Sequence, residues 1–174
     1  MKIKTEQILA VMNVLAWLTF IGLAIQAGAI LISYGVSTVN PEGAKNLYRG
    51  LNLYSIRQFN FWHYTITVAF MVALCILKAY VAWLVIKLLS KIKLASPFTV
   101  VVSAIMERIS YFILVLWVTT MVYDAQLSWL SEKIAGLEGN LISGQFIFLA
   151  GVVFVMAQIF KKGVELQSEN ELTV

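Results

Sequence analysis

The sequence predicts an all-α membrane protein with four transmembrane helices, both termini in the cytoplasm and a longer first outer loop. Three observations carry that reading. Of the 174 residues, 60% are hydrophobic and only 13% charged, with a mean hydropathy of +0.84. Soluble domains carry about 45–50% apolar and about 25% charged residues, so a core of this size could not bury so much apolar surface. Four windows approach the ~20 mostly apolar residues that cross a bilayer. The basic residues are unevenly shared between the ends of those windows. One polytopic domain over residues 1–174 is expected, with residues 161–174 as a cytoplasmic tail, because this length is near that of one domain.

The first span, about 8–32, is interrupted only by Asn13, Thr19, Gln26 and small residues. Lys2 and Lys4 precede it, but the apolar run far exceeds the 7–15 residues of a signal-peptide core, so a retained signal-anchor helix is expected. Gly22, Gly28 and neighbouring alanines offer surfaces for close helix approach. Residues 33–60 form the long outer connection, in which Asn40-Pro41-Glu42-Gly43 is a strong turn signal. Residues 46–54 alternate polar with apolar and aromatic side chains and fit either short strands or an interfacial helix. The second span, about 61–86, contains a single charge, Lys78. The third span, about 100–123, belongs to one long helix from about Pro97 to Leu130, with Ser96 as N-cap and Pro97 at the first helical position. Gly136 and Gly139 are expected to end it, and the fourth span covers about 141–160.

Four spans place the N-terminus, the second connection and the tail on one side. That side holds eight basic residues (Lys2, Lys4, Lys87, Lys91, Lys93, Arg108, Lys161, Lys162) against four on the other (Lys45, Arg49, Arg57, Lys133). The excess marks the cytoplasmic side. The net charge of +4 is therefore a matter of orientation and anionic lipid headgroups, with the lipid bilayer as partner and no direct nucleic-acid binding.

Several chemistries lack their residues. Cys75 is alone in an apolar stretch and His63 is the single histidine, so no metal or cofactor site is expected. Nucleophile elbows, zinc-protease motifs, phosphate loops and dinucleotide fingerprints are absent, and the chain is not expected to be an enzyme.

Two charges inside the predicted helices stand out. A charge within a span costs about 2.5–3.5 kcal/mol on insertion scales, so it is usually paired, snorkelling or functional. Lys78 lies roughly 13 Å along the helix from Lys87, at 1.5 Å per residue. Glu107, about ten residues into the third helix, reaches a similar depth. An intramembrane Lys78–Glu107 ion pair is expected, as a structural clamp or an ion-coupling site; snorkelling of Lys78 is the alternative. In the outer region Tyr48, Tyr54, Trp62 and His63 are the candidates for signal reception. His63 is an external pH sensor or simply an interfacial side chain.

The tail runs Phe160-Lys161-Lys162-Gly163-Val164-Glu165-Leu166-Gln167-Ser168-Glu169-Asn170-Glu171-Leu172-Thr173-Val174, and Ser96-Pro97-Phe98-Thr99 opens the third helix. With four apolar spans, these motifs resemble the small bacterial membrane proteins classed as domain of unknown function family 2975. In that family a basic pair and glycine lead into a Glu-Leu-Gln-x-Glu-Asn-Asp-Leu-Thr-Val-like end. Glu171 here replaces the aspartate, and Ser96 stands where asparagine is common. The resemblance implies a multi-pass protein of the bacterial inner (plasma) membrane. Family members are often encoded beside a small helix-turn-helix DNA-binding protein, which implies a cytoplasmic regulator as partner.

Gly163 is expected to end the fourth helix or permit a bend. The tail beyond it, with Glu165, Leu166, Gln167, Glu169, Asn170 and Leu172, then reads as a docking strip or a solvated end. The leading expectation is a regulatory or sensory partner of a cytoplasmic DNA-binding regulator. The alternative is a small transporter or channel subunit working as a homo-oligomer, with Lys78, Glu107 and Gln26 along its pathway.

Overall fold

The computed structural model describes residues 5–92, 99–134 and 145–172. Regular structure among the described residues is helical throughout: α1 (Thr5–Val39), a 3-10 helix (Pro41–Asn46), α2 (Tyr54–Phe59), α3 (Phe61–Lys91), α4 (Val100–Lys133) and α5 (Gln145–Leu172). Three stretches are long and apolar enough to cross a membrane: Glu6–Val39, Phe61–Lys91 and Val100–Lys133.

Helix ends differ from the expected ones for local reasons. α1 does not stop at residue 32 but runs to Val39, which shortens the outer connection. Hydroxyls keep it helical: Ser37 Oγ donates to the Tyr34 carbonyl at 2.7 Å and Thr38 Oγ1 to that of Gly35 at 2.6 Å. Asn40 then departs from helical geometry, its Oδ1 accepts from the Glu42 N–H at 3.1 Å, and Pro41 opens the 3-10 helix.

Residues 46–54 are neither strand nor continuous helix. Asn46 Oδ1 accepts from Gly50 N–H at 3.0 Å, and Leu47 N–H donates to Leu51 carbonyl at 2.8 Å. The turn needs positive φ at Arg49 (48°) and Gly50 (83°), the second of which suits glycine. Asn52 Oδ1 accepts from Tyr54 N–H at 3.0 Å and starts α2. Asn60, extended at φ −164°, takes the N–H groups of Trp62 (2.8 Å) and His63 (3.4 Å) and caps α3. Helix α3 therefore begins at residue 61, where the second apolar window of the sequence starts.

α4 continues through Glu107 and Arg108 as one long helix, as expected. Its first turn is capped by Thr99, whose Oγ1 accepts from Val102 N–H at 3.3 Å. The Ser96-Pro97 start and the Gly136 and Gly139 stop lie outside the described residues. α5 corrects the reading of the tail: it passes through Gly163 and stays helical to Leu172. One interior glycine costs only about 1 kcal/mol. The residues around it are mostly good helix formers, and Lys162 pairs with Glu165 one turn on.

Contacts divide the chain into two compact units, residues 1–20, 80–117 and 144–174, and residues 21–79 and 118–143. In the first, Leu84 of α3 packs with Ile105, Ile109 and Ile113 of α4, and Val102 and Met106 pack with Ala157 of α5. In the second, Tyr64, Val68, Val72 and Cys75 repeat along one face of α3 and meet Ile30 of α1 and Leu130 of α4. The connection joins this core: Ala44, Leu47, Leu53 and Ile56 are all buried in it. Gly43 fits closely there, since an added Cβ would stand 3.3 Å from Ser37 Cα. Among the described residues, nothing lies within 4 Å of a Cβ added at Gly22 or Gly28 of α1.

Replacing Asn60 by alanine removes the cap that sets the start of α3. A loss of about 1 kcal/mol is expected in denaturant unfolding of the detergent-solubilised protein, with Asn60→Asp retaining most of the wild-type value. Equal stability of Asn60→Ala and wild type would contradict the capping role.

Candidate functional site

The second unit gathers its polar side chains where α1, α3 and α4 meet the connection. Three cross-helix bonds to hydroxyls follow one rule. Ser37 Oγ gives its proton to the Tyr34 carbonyl, so towards Tyr64, 2.6 Å away, it acts as acceptor and the Tyr64 hydroxyl donates. Thr65 Oγ1 donates to the Phe61 carbonyl at 2.9 Å and accepts from the Tyr34 hydroxyl at 3.0 Å. Thr67 Oγ1 donates to the His63 carbonyl at 2.8 Å and accepts from Gln126 Nε2 of α4 at 3.2 Å. A hydroxyl has one proton and two lone pairs, so back-bonding to its own helix leaves it an acceptor for the neighbour. Two such bonds join α1 to α3 and one joins α3 to α4. Ser37, Tyr64 and Thr67 are fully buried, where an unmet hydrogen bond is costly.

Aromatic rings surround this network. Tyr34 and Tyr64 lie 5.6 Å apart by ring centroids, His63 and Trp129 5.0 Å, and His63 and Phe59 6.1 Å. Arg57 of α2 reaches across the end of the α1–α3 seam. Its Nη2 donates to the Thr38 carbonyl at 3.3 Å, and its guanidinium sits 5.7 Å from the Phe61 ring. Lys45 pairs with Glu42 and lies 4.9 Å from the Tyr54 ring. The Glu42 hydrogen bond holds the Lys45 ammonium above its ordinary pKa, although the pair is solvent-exposed.

The sequence-derived candidates fall in both units. Tyr48 and Tyr54 are half-buried and pack against the core of the second unit, each with a cation over its ring. Trp62 is 73% exposed and, among the described residues, joins none of the aromatic pairs. His63 is half-buried between Phe59 and Trp129. Lys78 stands on an exposed face of α3 in the second unit, whereas Glu107 is half-buried on α4 in the first, between buried Ser103 and Ser110. Of the tail candidates, Glu165, Leu166 and Gln167 are exposed on α5, and Gly163 is half-buried within it. Positions 169, 170 and 172 lie in the last turns of the same helix. Among the described residues, no group of three His, Cys, Asp or Glu side chains is placed to hold a metal ion.

Sequence reasoning missed Tyr34, Ser37, Tyr64, Thr65, Thr67, Gln126 and Arg57. A signal existed: Tyr34 and Ser37 follow the first apolar window at helical spacing, with a single glycine, Gly35, before Asn40-Pro41.

Described residues whose regular structure is all helical, with three helices long and apolar enough to cross a bilayer, define a multi-pass integral membrane protein. The chain belongs to the family described as Protein of unknown function (DUF2975), whose model matches residues 38–174. No curated protein and no solved structure matches it.

The proton assignment makes an asymmetric expectation. Ser37→Ala strands the buried Tyr64 hydroxyl, for a loss of about 1–3 kcal/mol. Tyr64→Phe leaves Ser37 bonded to the Tyr34 carbonyl, for a loss of about 0.5–1.5 kcal/mol. Unfolding of both variants in the same detergent checks the order, and a larger loss for Tyr64→Phe would reverse the donor assignment.

Proposed function

We propose that the protein is a non-enzymatic regulatory membrane protein with four spans and cytoplasmic termini. It receives a signal at the connection end and presents the end of α5 to a cytoplasmic DNA-binding regulator. The observation that supports this reading most is the continuity of α5 from its apolar part through Lys161-Lys162 to Leu172. A continuous helix is a stiff lever, and at 1.5 Å per residue the segment from Lys161 to Leu172 extends about 17 Å. A shift or tilt of the apolar part is thereby carried to the tail, whereas a tail joined through a flexible glycine would lose it.

Helicity also changes which tail side chains a partner meets. The alternation of Val164 and Leu166 with Glu165 would make one apolar face in a strand. At 3.6 residues per turn it places Val164 and Leu166 on opposite sides, so these two side chains form no apolar strip. Recognition then rests on charge. Lys162 donates to Glu165 at 2.9 Å and holds that carboxyl below its ordinary pKa. Positions 165 and 169 stand one turn apart.

A transporter subunit is the second reading, supported by Ser103, Glu107 and Ser110. They recur at helical spacing on α4, with both serines buried. In that case Glu107→Gln abolishes ion flux in proteoliposomes, a result the regulatory reading does not expect.

The lever is tested at Gly163. Proline inside a helix costs about 3 kcal/mol or more and kinks it, whereas alanine favours it. Deleting the gene is expected to change a defined set of transcripts, restored by wild type and by Gly163→Ala but not by Gly163→Pro at equal membrane levels. Full restoration by Gly163→Pro, or by a chain lacking residues 165–174, would overturn the proposal.

A further inference from the structure

Beside the hydrogen-bonded seam, α1 and α3 leave an open groove of about 350 Å³, lined by Leu31, Tyr34, Thr65, Val68, Ala73 and Ile76, with Ala69 and Val72 between. Its two polar groups, Tyr34 and Thr65, are spent on each other and on the Phe61 carbonyl. Water would find room there but almost no partners, so the groove favours an apolar occupant.

Its length and position narrow the occupant. From Thr65 to Ile76 the groove follows α3 for about 16 Å at 1.5 Å per residue. That is about half of the ~30 Å hydrocarbon core, the depth of one leaflet. Its mouth lies at the connection end of α1 and α3. Thr38 is one turn beyond Tyr34 on α1, and Phe61 one turn beyond Thr65 on α3. Arg57 touches both, so its guanidinium stands at the mouth. This arginine is half-buried, and among the described residues no carboxylate lies within 4.0 Å of it. Glu42 is engaged with Lys45. No described side chain therefore supplies Arg57 with a counter-charge. A lipid phosphate suits a guanidinium by geometry and charge.

We infer that the α1–α3 groove binds one acyl chain of an anionic phospholipid from the leaflet bordering the connection, with Arg57 against its phosphate. The headgroup sits at Arg57, and the chain runs past the Tyr34–Thr65 pair to Ile76. Contact with both helices makes the lipid a clamp on the α1–α3 seam, so its binding stabilises the second unit.

Delipidated, full-length protein in mild detergent tests this by native mass spectrometry and thermal unfolding with three probes: dioleoyl phosphatidylglycerol, dioleoyl phosphatidylethanolamine and oleate. One phosphatidylglycerol is expected to bind about tenfold more tightly than the other two, because no headgroup ammonium competes with Arg57 for its phosphate as in phosphatidylethanolamine, and to raise the melting temperature. Arg57→Gln is expected to reduce phosphatidylglycerol to the phosphatidylethanolamine level. Ala69→Phe, or Ala69→Leu should the larger side chain impair folding, is expected to abolish the bound adduct while helical content is kept. Equal binding of all three probes, oleate displacing phosphatidylglycerol at equal concentration, or adducts indifferent to both substitutions would each overturn the inference.

Discussion

Hydrocarbon supplies no hydrogen bonds, and a polar side chain on a membrane helix must find its partner within the protein. The junction of α1, α3 and α4 answers that constraint in one repeated way. Ser37, Thr65 and Thr67 each return their proton to a carbonyl of their own helix and accept from a residue on another. The donors are Tyr64, Tyr34 and Gln126, all long enough to span the gap between helices. Each bond in a membrane protein is worth only about 1 kcal/mol, because the unassembled helices also find partners. Its greater effect is on register: shifting α1 by one residue along α3 would strand two donors at once. The packing of Ile30 against Tyr64 and Val68 depends on that register.

The connection is part of the same solution. Ala44, Leu47, Leu53 and Ile56 close the end of the core, and Leu53 N–H donates to the Ala44 carbonyl at 2.9 Å. Asparagines set its course. Asn40, Asn46, Asn52 and Asn60 each accept a backbone N–H that a turn or helix start would leave unmet. This gives a compact cap in which Arg57 reaches from α2 to the Thr38 carbonyl and Tyr48 and Tyr54 pack half-buried against the core.

Much of this was legible in the residues. Hydropathy located the three longest helices, the start of α3 at residue 61, and the passage of the third helix through Glu107-Arg108. It failed at the ends, because hydropathy reports where a helix leaves hydrocarbon and not where it stops being a helix. Ser37 and Thr38 look like loop residues until their hydroxyls are seen to bond back to α1. Gly163 looks like a stop, yet one glycine among helix formers is too weak to end α5. The candidate site was harder still. Tyr48, Tyr54, Trp62 and His63 were visible as aromatics near an interface, but the hydroxyl network joins residues up to 59 positions apart in sequence. No local pattern pairs Gln126 with Thr67. Lys78 and Glu107 were conspicuous because charges are rare in such helices. They belong to different units, and their ion pair remains a proposal of the sequence.

All of this presumes that lipid covers the apolar faces that the helices leave exposed, among them Leu18 on α1, Ile76 on α3 and Leu114 on α4. Spin labels at these three positions in reconstituted bilayers give the most direct measurement. Contact with acyl chains gives strong relaxation by oxygen and weak relaxation by a water-soluble nickel chelate at every site. Strong relaxation by the chelate at Ile76 or Leu114 would mean that water bathes these helices, and would contradict the bilayer-spanning structure itself.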